Sequence, residues 1–413
     1  MDIFESLESN VRFYCRNYPV IFNKAYGCFL EAENGTKYID FFSGAGALNY
    51  GHNHPQIKKA IIKYLKENGI CHSLDMATVS KKHFINNFNE IILKPRNMNY
   101  KLQFCGPTGT NAVEAAIKLA RKVTNRQDII TFTNAFHGVS LGSLSITGSK
   151  TKRKAAGVSL NNAVFMPYDK YFGDEIDTTK YIDKYLSDPS SGVDVPAAFI
   201  VETIQAEGGI NVASVNWLRG LQNLAKKYNS LLIIDDIQVG CGRTGKFFSF
   251  EEAGLSPDLI CLSKSLSAYG LPLSVVLIKP EHDIWNAGEH NGTFRGNNLA
   301  FVTANEGLSF WCDNKFEESI NIKSKQLEKM LNNIVNTTNG LVILKGKGMI
   351  RGLGFQDLHA ARQVATMCFN NGVIIETAGP KDEVIKLLPS LNIENKYLEQ
   401  GINVLEKSIR SLI

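Results

Sequence analysis

Between residues 101 and 278 the chain alternates short apolar runs with amphipathic stretches, and this rhythm limits its fold more than any other feature. The runs are Lys101–Cys105, Ile129–Thr133, Ala198–Glu202, Leu231–Asp235, Asp258–Leu262 and Ser274–Ile278. Each has strand length, and a strand without polar alternation is one covered on both faces. The stretches between them keep a helical period. In Thr110–Thr124, Val113, Ala116, Ile117 and Ala120 recur at i, i+3, i+4 and i+7. Strands alternating with helices build parallel βα units, so an α/β fold is predicted, with a large domain around a mostly parallel central sheet.

That domain is placed at residues 55–305. Ahead of it, in segment 1–54, Cys28–Leu30 and Tyr38–Phe42 read as short strands about the turn Glu33-Asn34-Gly35. Beyond it, in segment 306–413, a helical stretch begun near 299 and running to 336 leads to strands near Leu341–Leu344 and Leu353–Gln356. The two flanks are expected to form a small α+β domain.

Charge and cysteine content narrow the function. Forty-five basic against 40 acidic side chains leave a net charge of only +5, spread too evenly for a nucleic-acid footprint. The densest basic cluster, Lys150, Lys152, Arg153 and Lys154, reads as a solvated loop. The eight cysteines form no C-x-x-C pair and no zinc-spaced set, so no metal is expected. The first 16 residues hold no apolar signal core, and no run nears the ~18 apolar residues of a membrane span. A reduced, cytoplasmic protein without membrane segments is the expectation.

Two glycine motifs invite nucleotide chemistry and fail. Gly240-Cys-Gly-Arg-Thr-Gly245-Lys246 lacks the hydroxyl that ligates magnesium in a P-loop; Phe247 stands there. In Gly44-Ala-Gly46 the third glycine of a dinucleotide fingerprint falls on Asn49, and Gly51–Pro55 interrupts any immediate helix. The first speaks against a nucleotide triphosphatase, and backbone-limited turns are the reading for the second.

Four other features converge on one chemistry. Pyridoxal phosphate (PLP) enzymes need a lysine to hold the cofactor as a Schiff base, a carboxylate for the pyridine nitrogen, a phosphate cradle and an apolar cover for the ring. Lys264 follows the strand ending at Leu262, among small residues. Asp235 ends the apolar run Leu231–Ile234, where open α/β sheets bind ligands. Asp235 and Asp236 point to opposite faces of an extended strand, so at most one faces a ring. Gln238 is near enough in sequence to reach a ring hydroxyl. Gly106–Asn111 joins a strand to a helix, offering helix amides to an anion, although an ordinary N-cap uses the same residues. Phe136 follows another strand and is placed either to stack on a ring or to fill the core.

With these residues in place, the chain resembles the class III (ornithine/ω-amino) aminotransferases over essentially its whole length. Asp235-Asp-Ile-Gln238 and Gly240-Cys-Gly-Arg243-Thr-Gly245 match the family's strand-end motif. The resemblance implies the type I fold of PLP-dependent transferases. It also implies Lys264 as the cofactor lysine, Asp235 as the pyridinium partner, Gln238 at the ring hydroxyl and Phe136 on the ring. Gly109 and Thr110 match the phosphate turn, and Thr293 matches a threonine that reaches the partner subunit's phosphate, which implies a homodimer with shared sites. Within the family the chain looks like the L-2,4-diaminobutyrate–2-oxoglutarate aminotransferases, on segments such as Val11–Arg16, Phe41–His52 and Thr293–Asn298. That likeness implies amino-acid and 2-oxo-acid substrates. Glu207 stands where related enzymes carry a glutamate that switches contacts between two substrates. Two departures concern carboxylate binding. Val139 follows Gly138 where many members have arginine, and Lys386-Leu-Leu-Pro389-Ser390 replaces an Arg-x-x-Pro-Pro-like segment. Lysine is a point charge rather than a planar fork. Arg295 is a candidate substitute, with interface ion pairing as its alternative.

Overall fold

The computed structural model describes residues 2–412. Seven strands form the central sheet, in the order Lys101–Phe104, Val275–Ile278, Leu259–Leu262, Leu231–Asp235, Ala198–Val201, Ile129–Phe132 and Ala163–Met166. The last five run parallel to one another. Val275–Ile278 is reversed and pairs antiparallel with both its neighbours. A parallel return needs a crossover of a dozen residues or more, usually a helix. Only the turn Lys264–Ser267 and a loop separate Leu262 from Val275, so this strand folds straight back.

The inner strands are buried at every position, as their unbroken apolar runs require. Alternate residues feed opposite layers. Ile129, Ile200, Ile233 and Cys261 pack on the helix Gly109–Thr124, while Phe132, Phe199, Ile234 and Leu262 join the larger core on the other side. The edge strand Ala163–Met166 falls outside the sequence expectation, because it is short and only its last residue is fully buried.

The flanking segments do come together. Phe22–Tyr26, Phe29–Ala32 and Lys37–Asp40 form an antiparallel meander, and Val373–Ile374 from the C-terminal region adds to it in parallel. A second sheet, Val342–Lys347, Ile350–Phe355, Val384–Leu387 and Glu376–Ala378, is antiparallel throughout. The helices Ala360–Asn370 and Asn395–Arg410 pack together beside it.

The expected helix over 299–336 is two helices, Asn298–Ser309 and Lys315–Asn336. Trp311 causes the break. It turns inward to donate from Nε1 to the Tyr50 hydroxyl (2.8 Å), and Asp313 then restarts the helix by accepting from the Lys315 amide. The helix Asn298–Ser309 runs unbroken through residue 305, where the large domain was expected to end.

The two failed glycine motifs are both turns. Gly44, Ala45 and Gly46 are all left-handed. Arg243 of the second motif is fully buried and donates to the carbonyls of Met349 (3.1 Å) and Pro389 and to Asn49 Oδ1. It thereby ties the segment after the central strand to both flanking regions.

Candidate active site

The carboxyl ends of the central strands open into a cleft of about 620 Å³ of empty space. Gly109, Thr110, Phe136, Glu207, Asp235, Gln238 and Lys264 all line it, together with His137, Gly138, Glu202, Ile204, Ile237 and Val239. Seven of the eight residues singled out from the sequence therefore share one cavity. Thr293 does not. It is exposed, and its carbonyl accepts from His72 Nε2 at 2.7 Å. The neighbouring Gly292 approaches Gly106, where the turn leading to Gly109 begins. Arg295 also lies outside the cleft, paired with Asp75.

The reversed strand fixes Lys264. To leave the sheet without a crossover helix, the chain makes a 3-10 turn in which Lys264 itself is left-handed, with φ 49°. A non-glycine residue held there is strained by ~1–2 kcal/mol, and such strain is often found at functional sites. Burial lowers the pKa of its ammonium, with Glu207 opposing the shift.

Asp235 faces the cleft and Asp236 the opposite side. One oxygen of Asp235 lies 2.7 Å from His137 Nδ1, and the other accepts from the Ile237 amide at 3.2 Å. Asp236 accepts from the Ser249 amide, and burial raises its pKa to about 7. His137 was not singled out as a site residue. A buried strand-end carboxylate requires a polar partner, which was the available signal, but nothing local marks the histidine as that partner. Glu202 was also missed as a site residue. It accepts from the Phe136 amide at 3.0 Å, and burial, with Asp235 adding to it, raises its pKa well above the usual range.

Lys386, a departure in the sequence, is wholly buried behind Glu207. Its Nζ donates to Glu207 Oε1 at 2.6 Å and lies 2.9 Å from Glu376 Oε2, in ion-pair rather than hydrogen-bond alignment. Burial disfavours the ammonium, but Glu207 and Glu376 outweigh it, and the lysine stays charged. The two carboxylates diverge. Burial works against the ionised form of Glu207, yet Lys386 and Lys264 hold its pKa low; burial raises that of Glu376, with Lys386 opposing. Gln238 Nε2 bridges Glu207 (3.0 Å) and the Ala45 carbonyl (2.9 Å), which gives the left-handed turn at 44–46 its place in the site.

These residues fit a phosphorylated pyridine. Gln238 Oε1 is buried with no donor among the described residues, as a ring hydroxyl would require. The 16-residue helix starting at Gly109 has no side-chain cap, so its first amides remain free for an anion. A Cβ at Gly138 would come within 2.4 Å of Thr110 Oγ1, which keeps the cradle open only for glycine.

Residues 13–409 match the family model for class III aminotransferases. A diaminobutyrate–2-oxoglutarate transaminase of Halalkalibacterium halodurans is 53% identical over 414 residues, covering 100% of this chain and 97% of the relative. One from Bordetella parapertussis is 54% identical over 412 residues, 99% of this chain and 95% of its own. Among solved structures, an S-selective transaminase from Bacillus megaterium superimposes with a TM-score of 0.89 at 20% identity, covering 100% of this chain and 97% of that one. That likeness speaks for the fold.

Proposed function

Because the chain belongs to the class III aminotransferases, it is a PLP-dependent transaminase of amino acids and 2-oxo acids, and we propose that it moves the terminal amino group of L-2,4-diaminobutyrate. The products are L-aspartate 4-semialdehyde and, from 2-oxoglutarate, L-glutamate. The observation that carries this reading is the identity of 51–54% along the full chain to transaminases named for this pair of substrates.

Bound PLP supplies a carbonyl that condenses with amines and a ring that withdraws electrons. The roles we assign to the chain's own residues follow from their surroundings. Lys264, whose ammonium pKa is lowered by burial, would hold the cofactor through its side-chain amine. The same amine, when free, would carry a proton from the substrate's amine-bearing carbon to the cofactor, acting first as base and then as acid. Asp235, oriented by His137, would hold a proton on the pyridine nitrogen. Gln238 Oε1 would accept from the ring hydroxyl, Phe136 would cover one ring face, and the amides at Gly109 and Thr110 would hold the phosphate. Glu207 screens Lys386 while the diamino acid is bound and swings aside for the dicarboxylate. Because one pocket serves both substrates, the aldehyde leaves before the 2-oxo acid enters, in a ping-pong cycle.

A homodimer with Thr293 reaching the partner's phosphate completes the proposal. Leu74, Met76 and Phe294 are exposed apolar side chains on adjoining segments beside Thr293. A second copy of the chain is what would cover them.

Purified enzyme given diaminobutyrate and 2-oxoglutarate should form one glutamate per amine consumed, with parallel double-reciprocal plots. Lys264→Ala should abolish turnover and leave no cofactor on the protein after borohydride reduction. Equal or faster turnover of ornithine would refute the substrate assignment.

A further inference from the structure

The mechanism above uses Glu207 and leaves Glu376 unexplained. Glu376 is 5% exposed, and its Oε2 has no hydrogen-bond donor among the described residues. It stands directly opposite Lys386 in the antiparallel register of Glu376–Ala378 and Val384–Leu387. Lys386 lies on an inner strand, also paired with Ile350–Phe355. Cross-strand neighbours of this kind keep their spacing. Glu207 is placed differently. It sits in the connection between the two-residue strands Ile204–Gln205 and Asn211–Val212, followed by Gly208 and Gly209, the latter left-handed. One carboxylate is therefore fixed to the lysine by the sheet, and the other is carried on a loop.

We propose that Glu376 is a specificity-determining residue that keeps Lys386 charge-compensated when Glu207 swings away, biasing the pocket toward a substrate with a second ammonium and against dicarboxylates. This rests on the reading that a diamino donor and a dicarboxylic 2-oxo acid share the site. With both glutamates in place the cluster has two carboxylates around one ammonium, so it attracts the spare amino group of a diamino acid. When Glu207 leaves, Glu376 remains, and the dicarboxylate meets a neutral pair rather than a bare cation. The handover is self-reinforcing. Glu207 is one of the charges that oppose ionisation of Glu376, so its departure favours the charged form of Glu376. Tyr14, from the N-terminal segment, stands close enough to feel this cluster, its hydroxyl pKa raised by burial first and then by Glu376.

The test uses holoenzyme, with KM for diaminobutyrate and for 2-oxoglutarate, and spectral titration with glutarate, a dicarboxylate that does not react. Glu376→Gln frees the charge of Lys386 and should tighten glutarate and lower KM for 2-oxoglutarate about ten-fold, while raising KM for diaminobutyrate by a similar factor. Glu376→Asp keeps the charge and should retain the wild-type ratio. If the Gln variant does not accumulate folded, Glu376→Ser removes the same charge, leaves room for water on Lys386, and should shift the ratio in the same direction. A structural role would raise both KM values together. Such a parallel rise, or unchanged glutarate binding, overturns the proposal. Failure of the wild type to use diaminobutyrate would instead sink the substrate reading, and the glutarate arm would still report on Glu376.

Discussion

Arg243 offers a sharp test of what holds the site's surroundings together. Replacing it with Met keeps most of the stem's packing but deletes every donor. Met349 O, Pro389 O and Asn49 Oδ1 then lose a partner in a place where the arginine itself has no exposure. Each stranded buried acceptor costs ~1–3 kcal/mol. Against that, the variant no longer buries a cation. Burial lowers the pKa of Arg243 to about 9, so the relief offsets several kcal/mol of the gross loss. A net destabilisation of about 3 kcal/mol is expected. With ~2.1 cal/mol/K of unfolding entropy per residue, a 413-residue chain loses ~1 °C of melting temperature per kcal/mol. Scanning calorimetry of the holoenzyme at fixed PLP should therefore show a fall of ~3–4 °C for Arg243→Met. Arg243→Lys, which reaches fewer of the three acceptors, should fall in between. A Met variant melting within 1 °C of the wild type would mean that the three acceptors find other donors, and the clasp would have no energetic content.

Two further outcomes follow from the cleft. His137→Leu removes the 2.7 Å partner of Asp235, a charge-assisted bond of ~1.5–3 kcal/mol, so apoenzyme should bind PLP ~10- to 150-fold more weakly; unchanged affinity in a cofactor titration would contradict the orienting role. Asp236 titrates near 7 in the fold and near 4 in the unfolded chain, so its contribution is fully present below pH ~4 and is lost as pH rises through 7. Asp236→Asn should therefore lose less melting temperature than wild type between pH 5 and pH 8, and an identical loss would show that Asp236 is not the group responsible.

Legibility from sequence followed burial. All six expected strands of the central sheet are found; five are buried at every position and spell continuous apolar runs, while Lys101–Phe104, at the edge, is only partly covered. Ala163–Met166 at the sheet edge and Phe22–Tyr26 in the flank lack that signature and escaped. The helix over 299–336 kept its period through Phe310 and Trp311, whose inward turn depends on Tyr50, some 261 residues away. The cleft residues fall at strand ends, where chain position and chemistry coincide, so Lys264, Asp235 and Gln238 could be picked out by position. Glu376 could not, because its pairing with Lys386 exists only through sheet register. Local signals were present in the alternation around Gly379-Pro380, but they specify a hairpin, not a charge pair.

The reversed strand has a consequence in time as well as in space. Among the described residues Lys101–Phe104 pairs only with Val275–Ile278, made about 170 residues later. At ~5–20 residues per second of synthesis, that edge waits ~10–30 s with its backbone donors and acceptors unpaired. Meanwhile the four parallel strands from Ile129 to Asp235 are complete and can associate. The last inner strand to arrive therefore closes the sheet and locks the turn bearing Lys264 in one event. Nascent chains stopped before residue 275 should carry an open edge on each side of that gap, and they are where chaperone dependence of this enzyme should concentrate.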